Sequence, residues 1–269
     1  MNQPIIPTAV AASEPLVLWD DSHGVTTLTL NRPRQYNALS STVLTALQNN
    51  LDAIAHDPSV RVVVIAGAGS AFCAGHDLKE MRSHYNAAST QALFDQCSRV
   101  MQSIVALPQP VIARVHGIAT AAGCQLVAQC DLAIASSNAT FATSGIDVGL
   151  FCSTPSVPLS RNMARKEAME MLLTGKFIDA RAAKERGLVN RVVAAKLLDE
   201  ELDKMIQALI AKPASVLALG KKMFYRQLEM GLSDAYTYAS GIMACNFMMS
   251  EAAEGVDAFM QKRPPKWDV

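Results

Sequence analysis

The sequence has no stretch of about 18 consecutive apolar residues, the length a membrane-spanning helix requires, so no segment reads as a transmembrane helix. It has no excess charge of either sign. Lys+Arg and Asp+Glu both number 24 and the formal charge is zero. That removes the electrostatic case for nucleic acid or an anionic membrane surface, although a local basic patch for a phosphorylated ligand stays open. The six cysteines (73, 97, 124, 130, 152 and 245) form no Cys-x-x-Cys pair and no zinc spacing. Free thiols among apolar neighbours are expected, in a reducing, cytoplasmic setting. Met1 to Ser13 lacks a positive start and is interrupted by Pro4 and Pro7. It reads as neither a secretory signal nor an Arg-rich transit peptide, and residues 1–14 are expected to form a loose arm.

What is present is a chain of 269 residues, half of them hydrophobic, enough for one large domain or a domain with an appendage. It is organised around Val60 to Met81. The run Val62-Val63-Val64-Ile65-Ala66 reads as a buried strand. It empties into Gly67-Ala68-Gly69-Ser70-Ala71-Phe72-Cys73-Ala74-Gly75-His76, and Asp77 is placed to cap a short helix at Leu78 to Met81. A small-residue loop before a helix start leaves backbone N–H groups free to meet an anion or developing negative charge. The competing reading is a structural turn. A dinucleotide fingerprint fails because Phe72 stands where its third glycine belongs, and a P-loop fails for want of Gly-Lys-Ser/Thr.

Leu16 to Asp20 and Val25 to Leu30 read as a hairpin around Asp21-Ser22-His23-Gly24. A helix from Ser40 or Ser41 to about His56 buries Leu44, Leu47, Leu51 and Ile54. A second, Ser89 to Leu107, buries Leu93, Val100, Met101 and Ile104 and is stopped by Pro108 and Pro110. Val111 to Val115 is another buried strand, and Ala119 to Cys130 reads as a tightly packed helix. Asp131 to Ala135 and Ala139 to Ala142 read as strands, and Thr143 to Pro158 as a site-lining loop. After a short strand, Val189 to Val193, the periodicity is helical to Lys262. The division expected is therefore an arm at 1–14, an α/β core at 15–194 and a helical region at 195–269.

With these stretches in hand, the chain resembles the crotonase superfamily, the enoyl-CoA hydratase/isomerase family. Phe72-Cys73-Ala74-Gly75-His76-Asp77-Leu78-Lys79-Glu80 is similar to its first oxyanion loop. Gly117-Ile118-Ala119-Thr120-Ala121-Ala122-Gly123-Cys124-Gln125-Leu126 is similar to its second, and Phe259 to Pro265 to its C-terminal pattern. Within the family, the Gly-His-Asp-Leu-Lys-Glu and Ala-Ala-Gly-Cys-Gln-Leu stretches, with Gly149 to Pro155, look most like the group called enoyl-CoA hydratase domain-containing protein 3. The resemblance implies an α/β crotonase-like spiral of ββα units with a helical C-terminal trimerisation part, as a homotrimer or dimer of trimers. It implies an acyl-CoA thioester as substrate, CoA being part of that substrate, and no cofactor or metal. The thioester carbonyl would sit between the N–H groups of His76 and Ala122. Arg34 and Ala38 would flank the CoA, with Ala74, Asp77, Leu78 and Lys79 beside it and Lys262 toward its phosphates.

The sequence departs from the family where a hydratase carries two glutamates. The first position is Gln125, which orients water but cannot exchange a proton near neutral pH. The second is Gly145, with no side chain. Efficient water addition is therefore not expected, although the family is named for it. Asp147 is the nearest carboxylate in sequence, either a displaced base or a loop-capping residue. The His76 imidazole is either carboxylate-facing, as in decarboxylases of malonyl-type esters, or turned to a neighbouring loop. Cys152 reads as buried filler, His116 as a strand-end residue, and Met243, Met248 and Met249 as an oligomer or core face. Three functional classes remain. They are an acyl-CoA enzyme that uses the oxyanion loops, a decarboxylase or thioesterase that needs only those loops, and a binding protein that kept the pocket and lost the chemistry.

Overall fold

The computed structural model describes residues 14–267, so the expected N-terminal arm lies, apart from Glu14, outside the described residues. The elements in order are β1 (Val17–Ser22), β2 (Val25–Leu30), α1 (Ser41–Ala55), β3 (Val62–Gly67), β4 (Ala71–Cys73), α2 (Leu78–Ser83), α3 (Ala87–Ala106), β5 (Val111–Val115), β6 (Ile118–Thr120) and α4 (Ala122–Gln129). They continue with β7 (Leu132–Ser136), β8 (Thr140–Ala142), α5 (Ser153–Asn162), α6 (Arg165–Thr174), β9 (Ile178–Asp179), α7 (Ala180–Glu185) and β10 (Arg191–Val193). Helices α8 (Leu198–Ile210), α9 (Ala214–Gln227), α10 (Leu232–Phe247) and α11 (Ser250–Met260) complete the chain. No described helix is long and apolar enough to cross a membrane.

The strands form two sheets, ordered β1-β2-β3-β5-β7-β10 and β4-β6-β8-β9. The β1–β2 hairpin is antiparallel, and the other pairs of the larger sheet are parallel. Three times the chain lays a strand in the larger sheet, then a short strand in the smaller, then helix: β3-β4, β5-β6 and β7-β8. This is the ββα spiral. Strands β3, β5 and β7 are mostly apolar because both sheet faces are covered; the exceptions are Arg114 of β5, paired with Asp199 at 2.6 Å, and the buried Ser136 of β7. One face packs on the main core with α1, α3 and α4. On the other, Val62, Val64, Ile112 and Ile134 meet Leu198, Leu202, Met205 and Ile206 of α8. The helical region after Ala194 thus supplies one wall of the core.

Several expected elements differ, among them the small-residue loop after β3, which holds strand β4. The helix read over Ala119 to Cys130 begins only at Ala122, because Ile118–Thr120 is a strand whose Ala119 pairs with Phe141 and whose Ile118 pairs with Ala71. Sheet pairing overrides the helical leaning of small residues there. The loop read over Thr143 to Pro158 holds a 3-10 turn at Ser144–Val148 and the start of α5. Pro155 lies in the first turn of α5, where no backbone N–H is needed.

Helix α9 is fastened to this core by a buried ion pair. Lys221 Nζ lies 2.7 Å from Asp131 Oδ2, with side-chain exposures of 7% and 15%. Tyr225 donates its hydroxyl to Asp131 Oδ1 at 2.8 Å, the Val111 amide donates to Oδ2 at 2.7 Å, and Lys221 also reaches the Ile104 and Gln109 carbonyls. Burial pulls the Lys221 ammonium below its ordinary pKa, against Asp131, which favours the charge. Asp131→Ala leaves that ammonium buried without its counter-ion and should cost about 3 kcal/mol. Urea denaturation measures it. A loss below about 0.5 kcal/mol, the ordinary surface range, would show that the pair does not hold α9.

Candidate active site

The first loop is shaped by a neighbour the chain brings from well upstream. The Leu39 amide donates to the Gly75 carbonyl at 2.8 Å, and the Asp77 amide donates to the Leu39 carbonyl at 3.1 Å. Successive peptide groups in an extended segment face opposite ways, so the His76 N–H is turned away from Leu39. It has no hydrogen-bond acceptor among the described residues. Asp77 caps α2, accepting from the Lys79 and Glu80 amides, and its other oxygen takes Arg32 at 3.0 Å. Those donors hold the Asp77 carboxyl below the usual carboxylate pKa, against the opposing effect of desolvation.

The second loop meets the first at Gly75. This residue has φ +92, and a Cβ placed there would lie 2.8 Å from Ala121 Cβ and 3.1 Å from the Ala122 nitrogen. Only glycine combines that conformation with that approach. Ala121, at φ +50 and ψ −121, turns the chain from β6 into α4; a non-glycine residue held there stores about 1–3 kcal/mol of strain. Its amide donates to the Ala142 carbonyl at 3.0 Å. Ala122 is the first residue of α4, so its N–H is one of the donors a helix leaves free. Two free amides, on loops in van der Waals contact, can hold an oxygen on which charge develops, and the α4 dipole adds to the effect.

Gln125 is one helical turn further along α4 and 3% exposed, and its Oε1 has no partner. Gly145 is joined to the same region through the Thr120–Ser144 hydroxyl bond of 2.7 Å. Its φ is not positive, yet a Cβ there would meet the Leu150 carbonyl oxygen at 2.7 Å and Cys152 Sγ at 2.8 Å. The Cys152 thiol therefore occupies space that a side chain at 145 would need. Burial raises its pKa, so it is a neutral thiol. The Asp147 side chain is exposed, and its oxygens lie against Gly175 at the end of α6. The 3-10 turn carries it there, and the structure does not bring it to Gln125. The His76 imidazole lies edge-on to Phe94, centroids 5.3 Å apart, with neither ring nitrogen hydrogen-bonded. Burial keeps its pKa below the ordinary histidine value, which leaves the ring uncharged at neutral pH. No carboxylate partner reaches it among the described residues.

Ala38 is buried beside this constellation and Ala74 half-buried, while Arg34, Leu78 and Lys79 are exposed along the rim of the first loop. Lys262 is exposed at the end of α11, and no ion pair or hydrogen bond of its side chain ties it to either loop among the described residues. Sequence reasoning missed Asn37. This residue sits at φ +56 and is 1% exposed. Its carboxamide donates to the Ala68, Ala71 and Phe72 carbonyls and accepts from the Arg32 amide. It clamps the Arg32–Ala38 turn onto β4, which places Leu39 against Gly75. The available signal was an asparagine after Asn31-Arg32-Pro33, the residue type that tolerates positive φ in a turn.

The family model described as Enoyl-CoA hydratase/isomerase matches residues 20–269. A Xenopus laevis protein named enoyl-CoA hydratase domain-containing protein 3, mitochondrial, is 45% identical over 253 residues, covering 94% of this chain and 86% of that protein. The crystal structure of an enoyl-CoA hydratase from Mycobacterium smegmatis superposes with a TM-score of 0.93 at 57% identity, covering 95% of this chain and all (100%) of that one. The crystal structure of human enoyl Coenzyme A hydratase domain-containing protein 3 does so with a TM-score of 0.91 at 41% identity, covering 94% and 100%. The group that the loop motifs resemble is thus among the relatives found. The expectation of a cytoplasmic setting is overturned: relatives in that group, from frog, rat and human, are named mitochondrial. Charge balance and thiol content do not encode a cellular address.

Proposed function

The chain belongs to the enoyl-CoA hydratase/isomerase family, and on that premise we propose that it binds acyl-CoA thioesters and stabilises negative charge on the thioester oxygen between the His76 and Ala122 amides. The observation that carries this reading is the Leu39 bridge, which occupies Gly75 and Asp77 and leaves the His76 N–H free beside Ala122. Fixed donors of this kind act as the carbonyl gains charge and need no reorganisation at that moment. Arg34, Ala38, Ala74, Leu78 and Lys79 form the wall for the CoA moiety, and Lys262 meets its phosphates. Asp77 shapes that wall through its cap and its Arg32 pair, which take up its carboxylate. CoA belongs to the substrate, and the reaction needs no separate cofactor.

The enzyme is a lyase or isomerase by kinship, but its acid–base groups are altered. Gln125 and Gly145 stand where a hydratase carries glutamates, and Asp147 is turned toward Gly175. Enolate stabilisation survives while proton transfer is impaired. Calorimetry with acetyl-CoA should show saturable binding, and a parallel panel of crotonyl-CoA, methylmalonyl-CoA and a long acyl-CoA identifies which ester is turned over. A flat titration at millimolar acetyl-CoA would remove the reading altogether.

The same proposal extends to assembly. Helices α10 and α11 and the turn between them expose Tyr236, Met243, Phe247, Met248 and Phe259 by 60% to 85%. That is a larger apolar face than a lone chain ordinarily leaves in water. The protein forms a trimer or a dimer of trimers through these helices. Light scattering at micromolar concentration should report that mass, and a monomer would contradict it.

A further inference from the structure

The contact that frees the His76 amide has no ladder around it. Leu39 and His76 form a single isolated parallel bridge. Along 74–77 the Ala74 amide donates to the Tyr36 carbonyl at 2.9 Å, the Gly75 amide to Cys73 Sγ at 3.5 Å and the Asp77 amide to the Leu39 carbonyl at 3.1 Å. The His76 amide is the one left over among the described residues. Two of those acceptors, Tyr36 and Leu39, belong to one turn. Neighbouring amides of an extended segment alternate in direction. A slip of the turn by one residue would therefore occupy His76 and free a neighbour that points elsewhere.

Asn37 lies inside that turn. Tyr36 and Asn37 both have positive φ, +49 and +56, a reversal that asparagine tolerates. The carboxamide is buried, and its Nδ2 donates to the Ala68, Ala71 and Phe72 carbonyls at 2.8, 2.8 and 3.1 Å. Gly67, at the end of β3, leaves room for it, since a Cβ there would lie 2.9 Å from Nδ2. Arg32 closes the other side of the turn, donating to the Ala38 carbonyl at 2.9 Å. The carboxamide thus ties the turn to the residues that open the first loop, and the backbone of the turn receives the residues that end it.

We infer that Asn37 is the positioning residue of the His76 donor: its carboxamide fixes the register of the Leu39–His76 bridge, and that register decides which amide of the loop faces the thioester oxygen. Asn37 acts through Leu39 and not on the substrate. Aspartate would set an acceptor against three carbonyls, and alanine would lose both the donors and the tolerance of positive φ.

This inference rests on the thioester reading above, and the experiment separates the two. Acetyl-CoA labelled with ¹³C at the thioester carbonyl is bound to wild type and to three variants, and the carbonyl resonance is recorded. Asn37→Gly keeps the backbone freedom and removes the carboxamide. Arg32→Gln loosens the turn at Ala38. Ile206→Ala truncates the core on α8, across the larger sheet. Asn37→Gly should bind acetyl-CoA within about threefold of wild type, lose most of the downfield shift, and show kcat lowered about 10²-fold at little-changed KM, the pattern of an interaction made in the transition state. Arg32→Gln should lose part of the shift. Ile206→Ala should lose none, although it destabilises the fold. A folded Asn37→Gly with the full shift overturns the inference; if that variant does not fold, a full shift in Arg32→Gln overturns it instead. An equal loss in Ile206→Ala does so too, because the shift would then follow stability and not register. A wild-type carbonyl that does not move on binding, or an ester that does not bind, removes the thioester reading and this inference with it.

Discussion

Wild-type protein should hydrate crotonyl-CoA at a rate at least about 10⁴-fold below that of a relative carrying both glutamates, because each general acid or base contributes roughly 10²–10⁴. The side chain at 125 cannot donate a proton to the α-carbon, and position 145 has nothing to take one from water. Gln125→Glu should recover about a hundredfold in kcat. A carboxyl in that buried position would titrate above its ordinary range, as a general acid should. Gly145→Glu should not add to it. The backbone at 145 permits a side chain, but the Cβ would strike the Leu150 carbonyl oxygen at 2.7 Å and Cys152 Sγ at 2.8 Å. Removing the thiol as well, in Gly145→Glu with Cys152→Ala, relieves one of those contacts and leaves the harder one. Steady-state assays on the single and combined variants check this. An ordinary wild-type rate of about 10 per second would show that water addition does not depend on these two positions.

Gly75→Ala should abolish most thioester chemistry while leaving the fold in place. The new methyl needs φ +92, which costs about 1–3 kcal/mol, and it pushes against Ala121 Cβ at 2.8 Å and the Ala122 nitrogen at 3.1 Å. The two loops must part by a few tenths of an ångström or more, and the amides then no longer converge. Loss of one donor of this kind lowers kcat by roughly 10²–10³. The assay is the rate on whichever ester the panel shows to be turned over, with circular dichroism confirming retained structure. A well-folded variant that keeps a tenth or more of the wild-type rate would mean that Gly75 does not set the spacing of the donors.

Local chemistry made part of this architecture legible. Val62 to Ile65 announced a strand buried on both faces because α8 covers the side the main core does not. Asp77 announced a cap because a short carboxylate before an apolar helix start has few other uses. Where contacts reach across the sequence, the chain read differently from its structure. Strand β6 is made a strand by Ala71 and Phe141, and neither is visible from Ile118-Ala119-Thr120 itself. Asn37 acts on carbonyls of residues 68, 71 and 72, and nothing in its own neighbourhood foretells that. The occupation of the Gly145 side-chain volume by Cys152 arises from the reversal of the chain through the 3-10 turn. The small residues before Asp77 marked a loop with free N–H groups, but their assignment to His76 and Ala122 was reachable only through the family pattern, since which amide is free is a property of backbone direction.

The most direct measurement follows the thioester oxygen itself. Acetyl-CoA labelled with ¹³C at the thioester carbonyl is brought to saturation with wild-type protein and with Gly75→Ala, and the carbonyl resonance is recorded by NMR. Two amides aimed at that oxygen polarise the carbonyl and move its resonance downfield on binding to wild type, and the shift shrinks in the variant. A carbonyl resonance that stays at its free position in saturated wild-type protein would contradict the account.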